Sequence, residues 1–306
     1  MPETPMVKIS VIIPTHNRVR LLAKTLLLLN EQTYPHQKYE VIVVDDASTD
    51  ETQRELRRLE EKLNYKLKYF KQGKKGPAAA RNRGIKESDS PFVLFIGDDI
   101  YPSKNLIEQH VKSLEAQPDT AILGFVDWNQ EEEVTDFMKY VAPNGFQFRY
   151  NTIQDPSNCD FRHFYTSNIS LSRHWLSKNL FDEDFPYGAL EDTELSYRLK
   201  NKGLKIVLNK EAMGFHSHPM TVESFCQRMK LTGISAVLLI KKHPELKRML
   251  LPINSAIMAP IFSFLTKLTF IGKINKNFYW FCRIIDSYLT GVRQGKVAFS
   301  KKGCLL

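Results

Sequence analysis

Residues 91–100 read Pro-Phe-Val-Leu-Phe-Ile-Gly-Asp-Asp-Ile, and the fold is decided by how this stretch is read. A continuous apolar run of about five residues, rich in Phe, Val and Ile, marks a strand buried on both faces. The run stops at Gly97 and two carboxylates, Asp98 and Asp99. Open α/β sheets place their ligands at strand ends, and a hard divalent cation with a ligand's phosphates offsets the repulsion of adjacent acids. The plain alternative is a loop whose acids point into water.

Upstream, Lys8 to Ile13 is a β-branched run stopped by Pro14, and Arg20 to Asn30 carries Leu22, Leu26 and Leu29 at helical spacing. Tyr39 to Val44 repeats the strand signature and ends at Asp45-Asp46, after which Ser48 or Asp50 can cap a helix running to Leu63. Leu67 to Phe70 reads as a third strand, and Gly76-Pro77 opens an Ala-rich helix from Ala78 to Lys86. Asn105 to Gln117 follows as a helix. This alternation predicts an α/β fold with a mixed, mostly parallel sheet and helices on both faces. The polar clusters Pro14 to Arg18, Asp45 to Thr49 and Gly97 to Asp99 then share one sheet edge.

Further along, Ala121 to Phe125 is a strand, and Asp127 to Asp160 is an irregular excursion longer than ordinary connections. Phe164 to Leu171 reads as a strand and Glu191 to Lys202 as a helix closed by Gly203. Lys205 to Val207 and Ala212 to Phe215 read as two short strands. From Thr221, a plausible N-cap, the pattern is all-helical. Two domains are therefore expected, 1–220 and a helical extension at 221–306.

An apolar fraction of 42 % and a charged fraction of 25 % exclude a disordered or collagen-like chain. Cys159, Cys226, Cys282 and Cys304 share no short spacing, which predicts neither a zinc site nor a disulfide framework. The opening Met-Pro-Glu-Thr-Pro lacks a basic segment followed by an apolar one, so the expected place is the cytoplasm. The net charge is +9, and from Lys241 onward twelve Lys and Arg face only Glu245 and Asp286. The first 220 residues are nearly balanced, which weighs against nucleic acid as partner. Between Arg248 and Lys267 an uncharged apolar run is broken by Pro252 and Pro260, which disfavours a membrane span. Three arrangements stand open: a helical hairpin on an anionic bilayer, a helix packed on the first domain, or contact with a second copy.

Five strings in order now carry a resemblance. They are Val-Ile-Ile-Pro-Thr-His-Asn-Arg, Val-Ile-Val-Val-Asp-Asp-Ala-Ser-Thr-Asp, Gly-Pro-Ala-Ala-Ala-Arg-Asn-Arg-Gly-Ile, Phe-Ile-Gly-Asp-Asp and Leu-Glu-Asp-Thr-Glu-Leu-Ser-Tyr-Arg-Leu. Over Val11 to Leu199 the chain resembles a family-two glycosyltransferase of the GT-A fold. The resemblance implies sugar transfer with inversion from a nucleotide-diphosphate sugar, a UDP-sugar by preference, to a carbohydrate or lipid-linked acceptor in surface polysaccharide or glycolipid synthesis. It places nucleotide contacts at Pro14, Thr15, Asn17, Arg18, Asp45, Asp46, Arg81 and Asp98, with Asp46 favoured for the base N–H. It places Mg²⁺ or Mn²⁺ on Asp99 and Asp98. Of His216 and His218, two apart on an expected strand, His218 is favoured to complete the metal shell.

Asp192, beside Glu191, is the implied base that takes a proton from the acceptor hydroxyl. Trp128, Asn168 and Tyr187 are candidate sugar-ring contacts. Each has a bland alternative: a turn for Pro14 to Arg18, a helix cap for Asp45 or Glu191-Asp192, a surface ion pair for Arg81, core packing for the aromatics. Gly97 stands where a strict Asp-x-Asp motif has its first acid. A sugar nucleotidyltransferase would carry a Gly-rich loop after its first strand, and a dinucleotide oxidoreductase Gly-x-Gly-x-x-Gly; Pro-Thr-His-Asn-Arg is neither. A membrane-associated nucleotide-sugar-binding protein without catalysis is the remaining alternative, disfavoured by Asp98, Asp99 and Asp192 occurring together.

Overall fold

The structure is a computed structural model that describes residues 7–251 and 255–300. Pro252 and Cys304, both singled out above, lie outside the described residues. The chain divides into two compact units. One comprises Met1–Val134, Val141–Asp184 and Asp192–His218; the other comprises Thr135–Tyr140, Phe185–Glu191 and Pro219–Leu306.

The first unit is built on one eight-stranded sheet. Its strands are β1 (Ile9–Thr15), β2 (Tyr39–Asp46), β3 (Lys66–Gln72), β4 (Phe92–Ile96), β5 (Ile100–Pro102), β6 (Thr120–Trp128), β7 (Asn168–Ser172) and β8 (Lys205–His216). They lie in the order β3-β2-β1-β4-β7-β6-β8-β5. The β3-β2-β1-β4 half is parallel throughout, and β7 enters antiparallel between β4 and β6. Helices α1 (Val19–Leu29), α2 (Thr52–Glu60), α3 (Pro77–Glu87) and α4 (Leu106–Ala116) connect the strands. Helix α5 (Asp136–Val141) falls almost wholly in the second unit, and α6 (Glu191–Lys200) almost wholly in the first.

Side-chain alternation along β1 shows how the sheet is sandwiched. Ile9, Val11 and Ile13 are fully buried in one cluster with Leu22, Leu26 and Leu29 of α1, Leu56 of α2 and Val111 of α4. Ile12 points the other way, against α3, where a Cβ on Gly84 would come within 2.4 Å of its methyl carbon. The Ile12 side chain fills the space where a larger residue at Gly84 would place its Cβ.

Three sequence expectations need correction. The strand expected from Phe164 begins at Asn168, because Phe161–His163 is a 3₁₀ turn. The strand expected to end at Phe125 runs to Trp128. The two short strands after Lys205 are one twelve-residue strand, β8, whose pairing with β6 jumps from Gly124↔Asn209 to Phe125↔Met213. The chain bulges there, which breaks the period-two pattern a sequence reading relies on. The amide of Asn168 spans the break, donating to the carbonyls of Ala212 (2.8 Å) and Phe125 (3.3 Å). Beyond the bulge His216 arrives opposite both Trp128 of β6 and Ile100 of β5.

The second unit is helical: α7 (Val222–Lys242), α8 (Lys247–Leu250), α9 (Ser255–Leu265), α10 (Ile271–Ile274) and α11 (Lys276–Ser300). Thr221 caps α7 in a capping box with Ser224, as its sequence position predicts. Helices α7 and α11 touch backbone to backbone: a Cβ on Gly233 would fall 2.1 Å from the Tyr288 carbonyl, and one on Gly291 would fall 1.9 Å from that of Lys230. Ala259 and Phe262 of α9 are buried against Cys282 and Leu289 of α11. Among the described residues no helix is long and apolar enough to cross a membrane.

Candidate active site

Three loops meet at the C-terminal ends of β1, β2 and β4, since Thr15 pairs with Asp45 in register and Ile12 with Phe95. Asn17 and Ala47 both adopt left-handed backbone, at φ 53° and 64°. Non-glycine residues in that region carry strain that the surroundings must hold, and here the loops clasp each other. The Asn17 amide N–H donates to Ser48 Oγ (2.9 Å), and its side-chain oxygen accepts from the Thr49 N–H (2.7 Å). Asp50 in turn accepts from the Val19 N–H at the start of α1 (3.1 Å). Asn17, a candidate nucleotide contact, thus serves first as the clasp between two loops.

Asp45 and Asp46 are buried and well supplied with donors. Asp45 accepts from the Ser48 N–H (2.7 Å) and the Tyr69 hydroxyl (2.8 Å). Asp46 accepts from Gln72 (3.0 Å) and from the backbone N–H groups of Lys75 (2.8 Å) and Gly76 (2.9 Å). Burial alone would raise the Asp46 pKa; these three donors and the nearby Lys74 ammonium overcome it and hold the carboxyl below its ordinary value. On α3, Arg81 is 9 % exposed with its guanidinium 5.5 Å from the centre of the Phe181 ring.

The second acid pair is arranged differently. A single nitrogen of Arg18, Nη1, donates to Asp98 (3.1 Å) and to Asp99 (2.7 Å). Arg18 therefore turns to the acids, where the sequence placed it with the nucleotide. The Thr15 hydroxyl donates to Asp98 (2.8 Å), and Thr25 donates to the Asp98 carbonyl (3.0 Å). Burial first, and the Asp99 charge second, push the Asp98 carboxyl up to about 7 despite the pull of Arg18 and Thr15. Gly97 has a steric reason: a Cβ there would stand 2.7 Å from an Asp99 carboxylate oxygen.

His216 lies beside this pair, its Nε2 3.6 Å from Asp99 Oδ2. His218, favoured from the sequence, lies just past the end of β8, with its ring 6.3 Å from that of His216. His216, the last residue of β8, is thus set against Asp99.

The residues suit a hard divalent ion in part. Two carboxylates and an imidazole offer oxygen and nitrogen donors, with Asp98 raised first by its burial and second by the Asp99 charge. Among the described residues, no group of three or more His, Cys, Asp or Glu side chains is arranged to hold a metal ion by itself.

Asp192 stands in the first turn of α6, accepting from the Thr193 N–H (2.7 Å). Burial, with the Asp192 charge second, raises the Tyr165 phenol. Glu191 is buried and Tyr187 half-buried. Two of the candidate sugar contacts are buried, as their core-packing alternative has it. Asn168 is fully buried, held by His110 and its bulge-spanning amide, and Trp128 is 2 % exposed with its indole N–H given to the Ala142 carbonyl (3.1 Å). Both are parts of the core. Sequence reasoning missed Thr25, Tyr69 and Gln72; the signal for Tyr69 and Gln72 was their place on the strand flanking Asp45-Asp46.

A family model described as glycosyl transferase family 2 matches residues 10–179, more than half of the chain. The chain belongs to glycosyl transferase family 2. It is 29 % identical over 287 residues to hyaluronan synthase of Pasteurella multocida, an alignment covering 83 % of this chain and 29 % of that one. It is 28 % identical over 245 residues to a dolichyl N-acetyl-glucosaminyl phosphate diacetamido-dideoxy-glucuronosyltransferase of Methanococcus voltae, covering 76 % and 74 %. The chain thus spans under a third of the Pasteurella relative's length. Among solved structures it resembles the Pyrobaculum calidifontis mannosyltransferase PcManGT with GDP-Man and Mn²⁺ (TM-score 0.63, 20 % identity, 97 % and 89 % covered). It also resembles Staphylococcus aureus TarS 1-349 with UDP (TM-score 0.56, 20 % identity, 94 % and 92 % covered). At this identity the likeness speaks for the fold, and the fold is GT-A.

Proposed function

We propose that this chain moves a sugar from a nucleotide-diphosphate sugar, UDP-linked by preference, to the hydroxyl of a carbohydrate or lipid-linked acceptor, with inversion at the anomeric carbon. The observation that carries this reading is the Asp98–Asp99 corner, where two buried acids share one Arg18 nitrogen and His216 stands alongside. Such a corner has a standing demand for positive charge. It supports Asp99, Asp98 and His216 as the residues that would hold Mg²⁺ or Mn²⁺. When bound, the ion would supply Lewis-acid neutralisation of the diphosphate leaving group.

The chain's own groups would do the rest. A carboxylate has about four acceptor sites, so three donors on Asp46 and two on Asp45 leave room for a base N–H on that pair. Arg81, backed by the Phe181 ring, would present its fork of donors to the base edge or a phosphate. Asp192 would accept the acceptor hydroxyl's proton as that oxygen attacks the anomeric carbon and the nucleoside diphosphate departs. The names of the relatives, hyaluronan synthase and the Methanococcus glycolipid transferase among them, support polysaccharide or glycolipid assembly as the setting.

The test is a panel of UDP- and GDP-sugars offered to the full chain with and without Mn²⁺, reading nucleoside diphosphate release and donor affinity. Consumption of at least one donor is expected, together with a loss of about 10²- to 10⁴-fold in Asp192→Asn at unchanged donor affinity. Donor binding with no turnover in the parent chain would leave a binding protein in place of an enzyme, and no binding at all would end the proposal.

A further inference from the structure

Among the described residues nine large apolar side chains are exposed, and all but Leu27 belong to the helical unit. Six of them follow one another along α9, α10 and the first turn of α11: Ile257, Ile261, Phe264, Phe270, Ile274 and Phe278. Ile274 is 79 % exposed, Ile257 63 % and Phe264 62 %. Helix α9 contains no charged residue. Ala259 and Phe262 on its inner side are buried against α11, whereas Ile257, Ile261 and Phe264, spaced four and three apart, form a second apolar stripe facing outward. A helix apolar on every side is normally enclosed, so the outward stripe calls for a cover.

The charge around the stripe identifies the cover. Between Glu245 and Asp286 the sequence carries six Lys and Arg and no acid. Lys267 and Lys273 are exposed and interleave in the chain with Phe264, Phe270 and Ile274; Lys276, also exposed, lies 3.9 Å from Asp136. A second copy of this chain would meet the stripe in a self-complementary contact that sets these lysines against themselves. An anionic bilayer presents what both features want, an acyl boundary for the Phe and Ile side chains and phosphate headgroups for the ammoniums.

We infer that the outward stripe of α9, continued through Phe270, Ile274 and Phe278, is a docking surface for an anionic lipid bilayer. The eleven residues of α9 extend about 16 Å, half of a bilayer's hydrocarbon core of about 30 Å, so the surface lies in the interface and does not span it. No residue of the acid corner belongs to this surface, and the inference stands or falls separately from sugar transfer.

The test is sedimentation of the full chain with phosphatidylcholine vesicles, with and without phosphatidylglycerol, at low and high salt. Binding is expected only where phosphatidylglycerol is present, weakening as salt rises. Ile261→Glu with Ile274→Glu should lower partitioning at least about a hundredfold. Lys267→Gln with Lys273→Gln should lower it about fivefold per lysine. All four side chains are exposed, so an unchanged melting temperature serves as the folding control. No sedimentation with anionic vesicles at low salt, or equal binding by the Glu variant, would overturn the inference. So would a concentration-dependent dimer in analytical ultracentrifugation that the Glu variant converts to monomer, because a second copy would then be the cover.

Discussion

The pair Asp45–Asp46 closes β2 and the pair Asp98–Asp99 follows β4, with only β1 between those strands, yet the donors that meet the two pairs differ in kind. Each carboxylate of the first pair has its own set of backbone and side-chain donors, and Asp46 is held below its ordinary pKa. The second pair shares one nitrogen of Arg18, and Asp98 is pushed well above its own. The dipeptide is the same in both places. What separates them is burial and a neighbouring charge: Asp98 is driven up first by burial and then by Asp99, whereas the donors and the Lys74 ammonium around Asp46 outweigh its burial.

The comparison breaks most visibly in activity. Asp99→Asn is expected to lower sugar transfer about a thousandfold, the size of loss seen when a positioned electrostatic group is removed. Asp45→Asn should lower it far less. Steady-state rates for the two variants decide it, and equal losses would mean that the pairs do the same work.

Next in size is a pH signature of opposite sign in the two corners. Asp98 is raised above its unfolded value, so its contribution to stability is fully present below about pH 4, declines as pH rises, and is gone above about 7. Urea unfolding of chelator-treated protein should show the decline between those limits, and Asp98→Asn should flatten it. Persistence of the slope in that variant would place its origin elsewhere.

The smallest effect belongs to the Asp45–Asp46 pair. Asp46→Asn exchanges a charged acceptor for an amide that cannot accept from the Gln72, Lys75 and Gly76 donors together, and about 2 kcal/mol of stability should go with it. Because Asp46 is depressed, its contribution is present at neutral pH and is lost as pH falls below about 4, the reverse of Asp98. Melting temperatures of parent and variant across that range check the direction.

How much of this was legible in the chain depends on whether the deciding partner is near in sequence. Strands β1, β2 and β4 and helices α1, α3 and α4 are written in period and punctuation, and their ends fall within a few residues of expectation. The three-residue strand β5 escaped notice because it is too short to show alternation, and β8 was divided because its bulge interrupts the period. Asn168 looked like a polar contact at the head of an apolar run. Its role as a hub is fixed by His110, Ala212 and Phe125, residues 58, 44 and 43 positions away, which no local pattern reveals. His110 itself carried a signal: it sits beside Ile107, Val111 and Leu114 on the buried side of α4, a place where an imidazole must be paired and kept neutral. Burial accordingly lowers it to about 4. The direction of Arg18 toward Asp98 and Asp99 depends on β4 arriving next to β1, a tertiary fact.

The Gly233–Gly291 crossing of α7 and α11 has a consequence for how this protein can change over time. A seam where two main chains touch has no side-chain cushion in which a methyl group could be gained or lost. Any larger residue at Gly233 or Gly291 would have to push the two rods apart, whereas substitutions on their outer rows leave the crossing untouched.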